Sequence, residues 1–198
     1  MQRLTVFNNI SLDGYFVDGS GDMTWAHERS DDEWNEFAAQ NASGGEGGQL
    51  LFGRITYDLM VAFWPTPAAF ESNPTVAEQM NALDKVVYSR TMEEATWENT
   101  TLVTHDLEDD VRQRKAADGA GLVVMGSGTI VSQLAEAGLI DEFQFVINPV
   151  VLGQGRTLFE TVTKRFDVTR TSERAFGNGW RLRRGWSESI GLQASKDW

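Results

Sequence analysis

Short apolar segments alternate with amphipathic segments along most of the chain, and this alternation predicts an α/β fold. Apolar runs of strand length lie at residues 4–10, 49–52, 85–88, 100–104, 122–125 and 143–147. Between them, apolar positions recur three and four residues apart and predict helices that start near residues 31, 55, 74, 107 and 129. Residues 11–22 are rich in turn formers and predict a long loop.

The last third of the chain replaces this alternation with two long strand-like segments, residues 165–176 and 180–186, on either side of Gly177-Asn178-Gly179. Asn-Gly between two strands is a strong hairpin signal. We therefore predict one domain over residues 1–198, with a mixed, mostly parallel sheet, helices on both faces and a C-terminal antiparallel hairpin. Ligands of such sheets bind at the carboxyl ends of the strands, so the site is expected there.

Charge and composition narrow the classes of partner. The net charge of -12 and the pI near 4.6 disfavour nucleic acid and anionic membranes, because clustered cations bind both. Cysteine is absent and histidine occurs twice, so no metal site is expected. No signal-peptide pattern or membrane-spanning run is present, which predicts a cytoplasmic protein. The expected partners are a small-molecule substrate and a second copy in a homodimer, with segment 143–151 and the hairpin as candidate interfaces.

Three predicted strand ends carry residues suited to phosphate binding. Gly53-Arg54-Ile55-Thr56 and Gly126-Ser127-Gly128-Thr129 each join a strand to a helix, and the N-terminal N–H groups of a helix attract anions. Ser89-Arg90 offers a hydroxyl and a guanidinium for the phosphate on an adenosine ribose. Tight turns with solvent-facing arginines explain the same residues, and Val131 departs from the usual dinucleotide fingerprint. The residues alone leave both interpretations open.

One carboxylate lies in a setting suited to a substrate pocket. Glu33 is beside Trp34 and one helical turn before Phe37, which places an acid at the edge of an aromatic group. A first-turn acid that favours the helix dipole explains the same position. His27 and His105 are expected to be structural or exposed, and the acids at residues 106 and 108–110 to form a solvated face.

Five short segments are informative because of the order in which they follow one another along the chain. They are Ser11-Leu12-Asp13-Gly14, residues 51–57, Val87-Tyr88-Ser89-Arg90, Met125-Gly126-Ser127-Gly128 and residues 149–155. Together they resemble the dihydrofolate reductase family in the broad sense. The closer resemblance is to the branch related to the C-terminal reductase domain of the bifunctional riboflavin-biosynthesis deaminase-reductase. It implies a three-layer dihydrofolate reductase-like fold and an NADPH site formed by Gly53, Arg54, Thr56, Ser89, Arg90, Gly126, Ser127, Gly128 and Thr129.

The resemblance also implies where the substrate lies. Residues 8–14 are expected to border the nicotinamide, and the acid-aromatic segment around Glu33 resembles the one with which folate reductases hold a pterin. The expected catalytic residues are Glu33 and Asp13, and the expected substrate-binding residues are Asn8, Trp34 and Phe37. The peptide between Gly126 and Ser127 is expected to be cis or otherwise strained, because relatives carry a cis glycine-glycine bond at the matching turn.

These features predict an NADPH-dependent reductase that transfers hydride to a small pterin-like or pyrimidine-like substrate. 5-Amino-6-(5-phosphoribosylamino)uracil reductase and dihydrofolate reductase are the model activities. Arg54 and Arg90 are expected to clamp the extra ribose phosphate of NADPH from both sides. An NADP-binding sensor or structural protein without turnover is the alternative, because it needs the same cofactor site. No deaminase zinc motif occurs in the sequence.

Overall fold

The strands of the chain form one large and one small sheet. The computed structural model describes residues 1–41 and 48–187. The strands are β1 (Leu4–Ser11), β2 (Tyr15–Asp18), β3 (Gln49–Gly53), β4 (Lys85–Tyr88), β5 (Thr100–Val103), β6 (Leu122–Met125), β7 (Glu142–Asn148), β8 (Gly155–Thr157), β9 (Val168–Ala175) and β10 (Arg181–Ser187). Eight of them form a sheet in the order β5-β4-β3-β6-β1-β7-β10-β9, and β2 pairs with β8.

Helices cover both faces of the large sheet. They are α1 (Asp32–Asn41), α2 (Arg54–Phe63), α3 (Pro67–Ser72), α4 (Pro74–Ala82), α5 (Leu107–Ala116) and α6 (Gly128–Glu136), with a 3-10 helix at Thr24–Ala26. Because side chains alternate along a strand, Leu51 packs with α5 and α6. Its neighbour Leu50 packs with α2 and α4 on the other face. The predicted three-layer arrangement is confirmed.

Strand direction brings the candidate site residues to one edge of the sheet. The six strands from β5 to β7 are mutually parallel, so their carboxyl ends share that edge. β10 runs antiparallel to β7, with Arg181 opposite Ile147, and this pairing brings the β9–β10 turn to the same edge. The turn lies at Gly177-Asn178-Gly179, where Gly179 has a φ of +91°, and the hairpin prediction is confirmed.

Two short elements differ from the sequence prediction. The expected loop at residues 11–22 contains β2, whose Tyr15 pairs with Thr157 of β8. The strand forms here because a partner 142 residues away in the chain supplies its hydrogen bonds. A short helix that the sequence pattern did not indicate, α3, begins at Pro67. Proline is well suited to a first helical position, where its missing N–H has no partner to lose.

No helix in residues 1–41 and 48–187 is long and apolar enough to cross a membrane. Residues 42–47, which include most of a glycine-rich stretch of the sequence, and residues 188–198 lie outside the described residues. The single domain over residues 1–198 stays a prediction.

Candidate functional site

The described helices differ in how their N-termini are capped. Asp31, Asn73 and Asp106 cap α1, α4 and α5, and each carboxylate or amide oxygen accepts a backbone N–H of the first turn. α2 and α6 begin after Gly53 and Ser127, and neither start has a side-chain cap. The first N–H groups of a helix lack partners within the helix. The two helix starts predicted to hold phosphate therefore present donors and a positive dipole end without a capping side chain.

A cleft of about 410 Å³ opens at the ends of β4 and β5, beside the start of α6. Three residues predicted to bind cofactor line it together: Ser89, Arg90 and Thr129. The other lining residues are Tyr88, Val103, His105, Asp106, Leu107, Glu108, Ile130 and Gln133. The structure thus joins two of the three predicted phosphate-binding segments in one cleft.

Sequence analysis missed the polar residues that β5 and its following helix bring to this cleft. His105 and Asp106 follow β5 directly, so the strand-end signal that identified Ser89 and Arg90 applies to them as well. The side chain of Asp106 accepts hydrogen bonds from the N–H groups of residues 108 and 109. Glu108 forms an ion pair with Arg112 at 3.7 Å. Arg90 therefore shares the cleft with two carboxylates that already have partners.

A buried hydrogen-bond network lies under the cleft. The hydroxyl of Tyr88 donates to Asp110 at 2.7 Å, and Nε and Nη2 of Arg114 donate to the same carboxylate at 2.6 and 3.3 Å. Burial and the bond to Asp110 raise the pKa of Tyr88 far above its ordinary value. Burial opposes ionisation of Asp110, but hydrogen bonds from Arg114 and Tyr88 outweigh it and lower the pKa of Asp110. Tyr88 is therefore a neutral phenol that holds the cleft wall in place.

The turn between β6 and α6 is strained, but its peptide bond is trans. No cis peptide bond occurs within residues 1–41 and 48–187, so of the two predicted alternatives at Gly126–Ser127, cis or otherwise strained, the cis bond is wrong. Instead Gly126 and Ser127 both have left-handed φ values, +65° and +59°. This conformation costs a non-glycine residue about 1–2 kcal/mol. Two successive left-handed residues turn the chain from strand to helix without a cis bond.

The glycines predicted to bind phosphate have no room for a side chain. Neighbouring protein atoms, and not a bound ligand, fill the space that a Cβ would need. A Cβ on Gly53 would overlap Oγ of Ser127, and one on Gly126 would lie 2.8 Å from Thr56. A Cβ on Gly128 would lie 2.8 Å from the ring of Phe16. Thr56 is itself buried, so its predicted role as an outward hydroxyl donor is not seen. At these turns the backbone N–H groups, not the side chains, are placed to meet an anion.

Arg54 lies apart from the cleft that Arg90 lines. Its Nη1 pairs with Asp58 at 3.1 Å along α2, and the side chain is half exposed. It is not among the residues that line the cleft. The predicted two-sided clamp by Arg54 and Arg90 is therefore not formed: β3 and β4 are neighbours in the sheet, but the Arg54 side chain pairs along α2 with Asp58.

Glu33 points to the C-terminal hairpin and not into a substrate pocket, which corrects the predicted orientation. Its Oε1 pairs with Arg174 at 3.2 Å, and its Oε2 accepts the N–H of Gly177 at 2.8 Å. The hydrogen bond from Gly177, followed by the pairing with Arg174, lowers the pKa of Glu33. Glu33 is thus an ionised contact between α1 and the hairpin turn.

Trp34 and Phe37 form part of an aromatic core. They are 8% and 6% exposed, and their rings pack against Phe176 and Trp180 of the hairpin region at centroid distances of 4.7–5.3 Å. Hairpin rings therefore occupy the side of α1 where a substrate was expected. The prediction that Trp34 and Phe37 line a substrate pocket is not supported by this packing.

Replacing Glu33 with glutamine is expected to lower the melting temperature at pH 7 and to leave cofactor binding unchanged, because the lost charge pairs with Arg174 and Gly177. The folded-state pKa of Glu33 lies below its ordinary 4.5. Its stabilising contribution is therefore present above that pH and is lost as the pH falls through the folded value. Melting curves of the parent and Glu33→Gln should differ at pH 7 and converge at pH 3. If Glu33→Gln instead has the melting temperature of the parent and a lower turnover, Glu33 acts in catalysis.

Asp13 joins two loops at the site edge. Its Oδ1 accepts the hydroxyl of Ser11 at 2.7 Å and the N–H of Leu152 at 3.1 Å, and its Oδ2 accepts the N–H of Gly153 at 2.8 Å. The Ser11 bond is the main cause that lowers the pKa of Asp13 to about 2. A carboxylate with that pKa is ionised at neutral pH and holds no proton to donate. The structure therefore assigns Asp13 to loop organisation.

A second, smaller cavity lies at the end of β7, beside the residue that precedes β10. It measures about 80 Å³ and is lined by Trp25, Glu28, Arg29, Asn148, Pro149, Val150 and Trp180. Asn8, on β1, is 5% exposed, and its side-chain oxygen has no hydrogen-bond partner. Its predicted contact with substrate stays a prediction.

The two cavities are separated by a distance suited to an elongated ligand. From β4, beside the larger cleft, to β7, beside the smaller cavity, the sheet order passes β3, β6 and β1, which is four interstrand steps or about 19 Å. The turn at Gly126–Ser127 follows β6 and lies between them. A ligand with one end near Arg90 and the other near β1 would therefore cross the uncapped start of α6.

Comparison with known proteins agrees with this architecture. The uncharacterized protein YyaP of Bacillus subtilis is 26% identical over 90% of this chain and 91% of its own length. A putative riboflavin biosynthesis protein from Shewanella sp. PV-4 has a TM-score of 0.75 at 22% identity, covering 94% of this chain and 99% of that one. The dihydrofolate reductase of Enterococcus faecalis, solved with NADP(H), has a TM-score of 0.60 at 13% identity, covering 93% and 96%. These likenesses confirm the dihydrofolate reductase-like fold.

The family itself is shown by sequence. Residues 2–182 match the family described as the RibD C-terminal domain, which leaves only one residue before the match and a short segment after it. That extent includes the carboxyl ends of β1 to β7, where the candidate site lies. The chain therefore belongs to the RibD C-terminal domain family, which is a family of reductases.

Proposed function

We propose that this protein is an NADPH-dependent reductase that acts on a small pyrimidine-like or pterin-like substrate. The observation that carries the proposal is the cleft in which Ser89, Arg90 and Thr129 meet beside the uncapped start of α6. An arginine, two hydroxyl-bearing side chains and helix N–H donors are the groups that bind phosphates in proteins. Membership in a reductase family supports the same chemistry.

The residues present fit a nicotinamide dinucleotide. Arg90 and Ser89 would hold the extra ribose phosphate, and the first N–H groups of α6 and α2 would hold the pyrophosphate. When bound, NADPH would supply the hydride that reduces a C=N or C=O bond of the substrate. The chain would orient both reactants along the strand ends and shield them from water.

The substrate would lie near the end of β1, at the opposite end of the edge from Arg90. Asn8 is on that strand, and the smaller cavity lies at the end of β7, which pairs with β1. Glu33 and Asp13 are both committed to protein contacts. Their role in this proposal is to position the hairpin and the loop after β7.

NADPH oxidation measured with a panel of substrates tests the proposal. The panel contains dihydrofolate, pterin and aminouracils, among them 5-amino-6-(5-phosphoribosylamino)uracil, and NADPH binding is titrated separately. We expect NADPH to bind and at least one substrate to increase its oxidation. Absence of NADPH binding would contradict the proposal. Binding without oxidation across the panel would favour the alternative, an NADP-binding sensor without turnover.

A homodimer and a cytoplasmic location remain part of the proposal. β7, one candidate interface, lies inside the sheet between β1 and β10, so its edge is not available to a second copy. β9 is at the end of the sheet order and is exposed along its whole length. The hairpin edge is therefore the better candidate interface.

A further inference from the structure

Two neighbouring strand ends bring a histidine close to Arg90. β4 and β5 are parallel neighbours, and their last registered pair is Tyr88 opposite Val103. Arg90 and His105 each lie two residues beyond that pair, and both line the cleft of about 410 Å³. Adjacent strands are about 4.8 Å apart, so the two side chains start from adjacent points of the cleft wall.

The ring of His105 has one protein contact and is otherwise accessible. Its Nε2 lies 3.5 Å from Oδ1 of Asp110, and its side chain is 64% exposed. Asp110 is itself fixed by hydrogen bonds from Tyr88 and Arg114. A protonated imidazole has two N–H donors, so one can face Asp110 while the other donates to a ligand in the cleft.

The cleft has few positive charges for a site that is proposed to hold a phosphate. Among the described residues that line it, Arg90 is the only arginine or lysine, and Asp106 and Glu108 are carboxylates. Arg54 lies outside the cleft. The titratable and charged groups around His105 are Tyr88, Arg90, Asp106, Glu108, Asp110 and Arg114. His105 is therefore the cleft residue that can add a second positive charge.

We propose that protonated His105 is the second cation that holds the extra ribose phosphate of NADPH, beside Arg90. The inference rests on the proposed function and adds a pH-dependent residue to its cofactor specificity. Histidine ordinarily changes its charge between about pH 5 and 8. The preference for NADPH over NADH is therefore greatest at the acidic end of this range and decreases as His105 loses its proton.

The phosphate group of NADPH titrates in the same range but with the opposite effect. A phosphate monoester gains its second negative charge near pH 6, so its attraction to Arg90 increases as the pH rises. The contribution of His105 decreases as the pH rises. Comparing the parent with His105→Gln at each pH separates the two effects, because both proteins then bind a ligand of the same charge.

Titration of NADPH and NADH against the full chain between pH 6 and 8.5 tests the inference. Glutamine keeps a hydrogen-bond donor but removes the charge, so His105→Gln should bind NADPH about threefold to fivefold more weakly than the parent at pH 6. The two proteins should bind NADPH equally at pH 8.5, and NADH equally at both pH values. His27→Gln is the matched control and should behave as the parent, because His27 is the other histidine of the chain and lines neither cavity.

The proton on His105 gives a second measurement that does not depend on turnover. Because linkage is reciprocal, saturating NADPH should raise the pH at which the His105 ring titrates in NMR spectra by about half a pH unit. NADH should change it less. The spectrum of His105→Gln assigns the resonance, since that variant keeps a single histidine.

Three results would overturn the inference. They are equal NADPH affinity of the parent and His105→Gln at every pH, a loss of affinity that is the same at pH 6 and 8.5, and an unchanged His105 titration in NADPH. The exposed position of His105 keeps the variant informative, because exposed substitutions rarely unfold a protein. NADPH binding without substrate-dependent oxidation would contradict the proposed function while the His105 effect persists, and absence of NADPH binding at any pH would contradict both.

Discussion

Replacing Arg90 with alanine is expected to weaken NADPH binding about tenfold or more and to leave NADH binding nearly unchanged. A charge-assisted hydrogen bond contributes about 1.5–3 kcal/mol, and each 1.4 kcal/mol changes an affinity tenfold. Only NADPH carries the extra ribose phosphate that Arg90 is proposed to hold. The loss of affinity is therefore expected for NADPH and not for NADH.

The surroundings of Arg90 make its contribution measurable. The protein carries a net charge of -12, which repels both nucleotides at long range. Asp106 and Glu108 line the same cleft, so neutralising Arg90 leaves carboxylates facing the phosphate. We therefore expect Arg90→Ala to bind NADPH more weakly than NADH.

Arg54→Ala is the matched control for Arg90→Ala. It removes the same charge from a neighbouring strand end, but Arg54 pairs with Asp58 and does not line the cleft. Titration of both cofactors against the parent and both variants, at one ionic strength, separates a local contact from net charge. An equal loss of NADPH affinity in the two variants would show that only long-range charge is involved. If the parent binds NADPH and NADH with equal affinity, the proposed contact between Arg90 and the ribose phosphate does not exist.

Replacing Lys85 with methionine is expected to lower the free energy of unfolding by about 3 kcal/mol. Lys85 is 1% exposed, and its Nζ donates to the carbonyl oxygens of Met80, Asn81 and Leu83 at 3.0, 3.0 and 2.5 Å. It also lies 4.6 Å from the ring centre of Trp97. Methionine matches its length but leaves the carbonyl groups at the end of α4 without this donor, and a buried unpaired acceptor costs about 1–3 kcal/mol.

Urea unfolding at pH 7 measures this difference. Lys164→Met is the control, because Lys164 is 75% exposed and an isolated surface pair contributes little. The control should unfold within about 0.5 kcal/mol of the parent. If Lys85→Met also remains within that range, the three carbonyl contacts do not stabilise the fold.

Lys85 should also make the free energy of unfolding of the parent increase with pH. Burial lowers the pKa of Lys85 from 10.5 to about 8. Between these values the unfolded chain holds a proton that the folded protein has released, so stability increases with pH across that window. The advantage of the parent over Lys85→Met should therefore grow between pH 8 and 10. A constant difference would mean that Lys85 keeps its ordinary pKa in the fold.

Much of the fold was determined by the sequence through interactions that act over a few residues. The apolar runs at Lys85–Tyr88 and Leu122–Met125 are strands with the predicted bounds, and the helix predicted to start near residue 107 is α5, capped by Asp106. Asn178-Gly179 forms the predicted hairpin turn because glycine accepts a positive φ without steric cost. In each case the deciding chemistry lies within one turn or one strand.

The tertiary structure decided which of these pieces meet. Pairing of β4 with β5 brings His105 to the cleft with Arg90, while Arg54 stays outside it. Glu33 is turned away from substrate by Gly177, 144 residues later, and Asp13 is ionised and held by Gly153, 140 residues later. Contacts of that separation depend on how the sheet orders its strands. Periodicity and capping signals act only between near neighbours in the chain, so they predict where strands end but not what each strand end faces.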